Sequence, residues 1–314
     1  MTRKIIIDCD PGQDDAVALL LAFASPEDFE LLGITTVGGN VPLELTHRNA
    51  RMMCDIAGHQ DIPVYAGCGE PLVRPLVTAE AIHGETGING IDAFEPETPL
   101  QDMHAVDYIV QTLLAADDAS ITLVPTGPLT NIGTAIGKEP TILPKIEQIV
   151  LMGGAMREGG NRTPSAEFNI LVDPHAADIV LRCGRPITQL GLDVTHEVLS
   201  TRDRVERIKA LGNPVADATA GMLSFFDRFD TKKYKSRGAP LHDPCTIAWL
   251  IRPELFEGKE CNVAVETESE LTMGHTAVDF WHVTDRPINV NWIYAVDADG
   301  FYELLIERLA RFGE

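Results

Sequence analysis

A chain of 314 residues, 45% of them hydrophobic and 23% charged, has the composition of a globular protein long enough to bury its own core. Its 25 Lys+Arg against 47 Asp+Glu leave a net charge of −22, a field that repels phosphate backbones and anionic lipid and excludes nucleic-acid binding through a basic groove. The longest apolar run, residues 16–24, is too short to span a bilayer; the N-terminus meets Asp8 after three apolar residues and does not read as a signal peptide; and six cysteines without a Cys-x-x-Cys pair suit a reducing cytoplasm and argue against zinc.

In chain order, residues 5–7 read as a strand and 14–24 as the helix after it. Residues 31–37 form a second strand, 43–57 a helix, and 62–65 a third strand. A helix over 105–115 follows, then strand 121–124, short helix 129–137, strand 149–152, helix 174–183 and strand 187–191. This alternation predicts an α/β fold: a mostly parallel open sheet flanked by helices on both faces, Rossmann-like and doubly wound. With no linker, composition break or repeat, residues 1–314 read as a single domain. Segments near 262–266, 276–281 and 289–296 read as extra C-terminal edge strands, and 300–312 as the last helix. Two stretches, 67–99 and 226–240, read as long connections of the kind that often serve as lids.

Polar motifs fall where the predicted strands end: Asp8-Cys-Asp10-Pro-Gly-Gln-Asp14-Asp15, Gly38-Gly-Asn40, Thr126-Gly-Pro128, Gly153-Gly154 and Asp193. Open parallel sheets bind ligands beyond the carboxyl ends of their strands, so these motifs describe one crevice. Four aspartates within eight residues repel one another unless a cation or protons neutralise them. Capping of the following helix explains one of them, not three. All-oxygen ligation suits Ca²⁺ or Mg²⁺. The segment is no EF-hand, because Leu19 stands where the twelfth-position Glu would be. Asp8-x-Asp10 after an apolar strand also fits an aspartyl-phosphate phosphatase, a reading that needs a partner lysine the sequence does not place. Gly67-Cys-Gly69 lacks the third glycine of a dinucleotide fingerprint, and Gly133 to Lys138 has the wrong spacing for a P-loop.

His242-Asp243 and His83 supply titratable groups. Asn161, Glu167 and Asn169 around Phe168 offer hydroxyl partners and an apolar face, as a sugar site requires. A non-catalytic binding module would keep these sugar contacts and have no need of His242.

These motifs, with Thr126-Gly-Pro-Leu-Thr-Asn131, Leu151-Met-Gly-Gly154, Ala166-Glu-Phe-Asn169 and His242-Asp-Pro244, resemble the inosine–uridine-preferring nucleoside hydrolase family over almost the whole chain. The stretch 238–251 most resembles the bacterial pyrimidine-specific ribonucleoside hydrolases. The resemblance implies Ca²⁺ held by Asp10, Asp15, the main-chain carbonyl of Thr126, and Asp243. It implies Asp10 as the base that deprotonates water and His242 as the acid that protonates the departing base. Asp14, Asn40, Met152, Asn161, Glu167 and Asn169 would hold the ribose. His83, Phe168, Phe226 and Tyr234 would line the base pocket. A homodimer or homotetramer in nucleoside salvage is implied as well.

The chemistry of the residue types agrees. N-glycosidic cleavage builds positive charge on the ribose and negative charge on the base; carboxylates stabilise the first and an imidazole neutralises the second. Purine-specific relatives stack the base between tryptophans, whereas Trp249, Trp281 and Trp292 all fall outside the two long connections, so uridine and cytidine are the expected substrates.

Overall fold

Three consecutive isoleucines, Ile5, Ile6 and Ile7, leave a strand no polar face to turn toward water, and the strand that carries them must be covered on both sides. The computed structural model describes residues 2–234 and 238–313, and the side chains of all of these except 226–234. In it the three isoleucines are fully buried on β1 (Arg3–Cys9). Burial of each contributes about 2 kcal/mol.

The remaining strands are β2 (Phe29–Thr36), β3 (Val64–Ala66), β4 (Leu100–Gln101), β5 (Ile121–Pro125), β6 (Ile146–Met152), β7 (Ile187–Leu190), β8 (Leu199–Thr201), β9 (Gly238–Pro240), β10 (Phe256–Val265), β11 (Thr276–Asp279) and β12 (Val290–Val296). Ten of them form one sheet in the order β11-β10-β12-β7-β6-β5-β1-β2-β3-β4. All neighbours from β12 to β4 pair in parallel, and only β10 runs antiparallel to β12 and β11. The C-terminal strands are thus additions at one edge, as expected. β8 and β9 make a separate antiparallel pair.

Helices cover both faces. Ile5 and Ile7 pack with the helices Gln13–Phe23, Leu43–Ala57, Pro214–Tyr234, Pro244–Ile251 and Ala298–Ala310. Ile6 points the other way, toward Ala105–Ala115, Thr130–Lys138 and Pro174–Leu181. From β1 the chain first builds outward through β2, β3 and β4, then returns beside β1 as β5 and builds the opposite way. That reversal opens a crevice at the carboxyl ends of β1 and β5.

One expected connection is not a loop. Residues 226–240 were read from their polarity, but the helix Pro214–Tyr234 runs through most of them and β9 takes the end. The helix buries Val215, Ala216, Thr219, Ala220, Met222 and Leu223, a helical repeat, and neither Gly nor Pro interrupts it after Gly221. The expected base contacts Phe226 and Tyr234 have side chains outside the described residues. The other connection, 67–99, is irregular apart from one helical turn, Glu80–His83. It is pinned to the long helix where Gly90, at φ 117°, meets Gly221: a Cβ built on Gly221 would stand 2.5 Å from the Gly90 carbonyl oxygen.

Candidate active site

The turn after β1 gathers its aspartates by backbone geometry. Pro11 and Gly12 end the strand, and the helix Gln13–Phe23 starts at once. Asp15, in its first turn, accepts from the amides of Gly12 (3.1 Å) and Asp10 (3.3 Å), so it does cap the helix. It also accepts from the Thr126 hydroxyl (2.7 Å) at the end of β5 and from Asn40 Nδ2 (3.2 Å). Asp10 Oδ2 takes the Asn40 amide at 2.6 Å. Two glycines bracket this carboxylate: a Cβ on Gly39 would stand 2.1 Å from Oδ2, and one on Gly127 2.3 Å from Oδ1. Asp8, one pleat back, is held by the Thr35 hydroxyl (2.6 Å) and Asn131 Nδ2 (2.8 Å).

Among the described residues, Asp14, Asp15 and Asp243 form the group whose ligand oxygens all lie within 4.8 Å of one another. Asp10 stands beside this trio rather than within it. All four are buried, and none has an ion-pair partner among the described residues. Loss of hydration, and then the Asp15 charge, lift Asp10 well above the carboxylate range and Asp14 to about 7. Asp243 is lifted by burial and by Asp14, Asp15 and Asp10. Asp8 is likewise raised to about 7 by burial. Asp10 Oδ1 and Asp14 Oδ1 are buried without a hydrogen-bond partner. Unpartnered, mutually repelling carboxylate oxygens fit a hard divalent cation, which would relieve both costs.

A cavity of about 470 Å³ opens above the cluster. Asp14, Asn40, Thr126 and Asp243 line it; Asp10 and Asp15 are fully buried and bond to Asn40 and Thr126 from below. Met152, Asn161, Glu167, Phe168 and Asn169 form one wall. Glu167 caps the helix Phe168–Val172, accepting from the amides of Asn169, Ile170 and Gly154. Asn169 Nδ2 donates to the carbonyls of Thr126 (2.7 Å) and Met152 (3.2 Å), which leaves its Oδ1 to accept from a ligand. Asn161 has the opposite polarity, because its Oδ1 takes the Phe168 amide at 2.9 Å and its Nδ2 remains as a donor.

His83 and His242 line the same cavity. Burial lowers His83 to about 4; burial, then the neighbouring His196 and His83, lower His242 to about 3. Both imidazoles are therefore neutral near pH 7. His242 Nδ1 lies 2.7 Å from the Thr195 hydroxyl. His83 Nδ1 lies 2.7 Å from Gln13 Oε1, while Gln13 Nε2 donates to the carbonyls of His83 and Asn89. Trp249, Trp281 and Trp292 do not line the cavity.

Of the expected site, all members but Phe226 and Tyr234 are thus found together. Sequence reasoning missed Gln13, Thr195, His196 and Glu158. Gln13 was passed over as a variable position inside the aspartate motif. Thr195 and His196 follow Asp193, which was noted as a polar strand end; the signal was the continuation of that motif into the turn after β7. His196 Nδ1 pairs with Glu158 at 3.1 Å on the cavity rim.

Comparison with known proteins defines the class. Residues 5–303 match the family model described as inosine-uridine preferring nucleoside hydrolase, and the chain belongs to that family. It is an N-glycosyl hydrolase acting on nucleosides. It is 49% identical over 313 residues to the pyrimidine-specific ribonucleoside hydrolase RihA of Photobacterium profundum, covering 99% of this chain and 100% of that one. An uncharacterized protein of Schizosaccharomyces pombe is 51% identical over 308 residues, covering 98% and 99%. The solved structure of a purine-preferring ribonucleoside hydrolase from Gardnerella vaginalis superposes with a TM-score of 0.91 at 34% identity, covering 99% of each chain.

Proposed function

We propose that this protein is a Ca²⁺-dependent ribonucleoside hydrolase that prefers uridine and cytidine and works as a cytoplasmic homodimer or homotetramer in nucleoside salvage. One observation carries the reading: buried carboxylates and two neutral imidazoles converge on one cavity. Its likeness to the RihA sequence supports the pyrimidine preference, and the absence of tryptophan from the described cavity lining agrees. Six free thiols support the cytoplasm, and no helix of the described residues is long and apolar enough to cross a membrane. An aspartyl-phosphate mechanism finds no lysine among the described lining residues.

Asp10, Asp15, Asp243 and the Thr126 carbonyl would hold the cation, with Asp14 adjoining. When bound, Ca²⁺ supplies positive charge that acidifies a water and attracts the vicinal ribose hydroxyls. Asp14, Asn40, Glu167 and the Asn169 Oδ1 orient the sugar, with Asn161 Nδ2 as a donor to it and Met152 against its face. Asp10 accepts a proton from the attacking water through the oxygen that Asn40 does not hold. The water oxygen bonds to C1′ as the C1′–N bond breaks and its electron pair passes to the base. As negative charge develops on the base, His242 takes up a proton from solvent and passes it to the base, with His83 and Phe168 seating the ring. Ribose and free base leave, and proton exchange with solvent restores Asp10.

The test is kcat/KM over uridine, cytidine, inosine and 2′-deoxyuridine. The two pyrimidine ribonucleosides should lead. The deoxy compound should lose about 10²-fold or more, because a buried acceptor is left without its hydroxyl. A preference for inosine would overturn the base assignment.

A further inference from the structure

We propose that Thr195 is the positioning residue for His242: its hydroxyl fixes the imidazole so that Nε2, and not a ring carbon, serves the departing base. The inference rests on the reading of His242 as the proton donor.

The two residues are 47 positions apart, and the fold brings them together through the small β8–β9 sheet. Leu199 pairs with Pro240, and the Leu241 amide donates to the Val198 carbonyl at 2.8 Å. That bond sets His242 beside the short helix Leu192–Thr195. Thr195 is itself held by its surroundings. Its side chain is fully buried, its amide donates to the Gly191 carbonyl (3.1 Å) and its carbonyl accepts from Val198 (3.1 Å). The hydroxyl therefore stands at a fixed point, 2.7 Å from Nδ1.

An imidazole needs such a point. Its second side-chain torsion is broad and roughly two-fold, so packing alone does not distinguish a ring from its flipped form. His196 also lies against the ring, with centroids 5.7 Å apart and planes tilted by 55°, and the Nδ1 of His196 is engaged by Glu158. Stacking at that tilt does not select a nitrogen. A hydroxyl does, because a flip would put a carbon against it. A hydroxyl can also donate to Nδ1 or accept from Nδ1–H, so one bond serves either location of the ring proton. With Nδ1 tied down, Nε2 is the nitrogen offered to the cavity that the ring lines.

Two substrates separate positioning from structure. Uridine needs a proton on its leaving group; p-nitrophenyl β-ribofuranoside releases a stable anion and does not. Thr195→Val keeps the shape and removes the hydroxyl. It should lower kcat on uridine about tenfold or more with KM little changed, and leave the p-nitrophenyl substrate within about twofold. Thr195→Ser should restore uridine turnover. Equal losses on both substrates, or full uridine turnover by Thr195→Val, would overturn the proposal. His242→Ala is assayed alongside. If it loses uridine while Thr195→Val keeps it, the positioning role alone fails; if it keeps uridine, the proton-donor reading fails and the proposal with it.

Discussion

At the residue scale, the site sets desolvated carboxylates beside desolvated imidazoles. Asp10 is a carboxylate with one oxygen held by Asn40 and one left bare in the protein interior. Replacing it by Asn keeps its shape and removes its basicity. Asp10→Asn should lower kcat for uridine by about 10²–10⁴-fold, the usual worth of a placed general base, and near-normal turnover would reduce Asp10 to a ligand. His83 makes a different prediction, through pH. Burial holds it at about 4, below the 6.5 of an ordinary imidazole. A depressed pKa means the folded state refuses a proton that the unfolded chain accepts. Its contribution to stability is therefore complete above pH 6.5 and is lost as pH falls toward 4. The unfolding free energy of wild type minus that of His83→Asn, from urea titrations, should shrink by about 3 kcal/mol between pH 7 and 4. A difference independent of pH would contradict the burial argument. The chemistry of such residues was legible in the sequence because it rests on residue type and spacing. What was not legible is how hydrogen bonds assign polarity: nothing in the string says that Asn169 presents an acceptor and Asn161 a donor, or that Glu167 already serves three backbone amides.

At the scale of elements, Gln13 ties the long connection 67–99 directly to the catalytic turn, and Asn49 bridges the Pro11 and Thr86 carbonyls beside it. Gln13 spends both amide hydrogens on carbonyls of that connection and its oxygen on His83. Gln13→Leu keeps the bulk and removes all three bonds. Amide exchange over residues 80–90 should quicken by about tenfold, the loss of roughly 1.4 kcal/mol of local protection, while exchange in the β1 core stays unchanged. Unaltered exchange in 80–90 would show that Gln13 does not seat the segment. Strands and helices with strong periodicity, such as Leu43–Ala57 and Ala105–Ala115, were read to the residue. β10 starts earlier than expected because its first half is mostly exposed and polar, Glu257 to Glu260. The helix Pro214–Tyr234 has no counterpart in the elements read from the sequence, because its lysine run reads as a loop when the apolar stripe before it is not followed.

At the scale of the molecule, one feature of topology makes the site. The chain reverses its direction of growth beside β1, and the carboxyl ends of β2, β5 and β6 bring Asn40, Thr126 and Met152 to one cavity, with Asp10 from β1 buried behind Asn40 and Thr195 from β7 against His242. Asp243 and His242 come from further along the chain, in the turn after β9, and their arrival depends on that small sheet. A protein that concentrates buried carboxylates at this point is built around a cation. The most direct measurement is release of reducing sugar from uridine by protein stripped of metal, then supplied with Ca²⁺. Turnover that falls to background on chelation and returns with Ca²⁺ is the predicted result. Full turnover in the metal-free protein, or no ribose released in either state, would contradict the account.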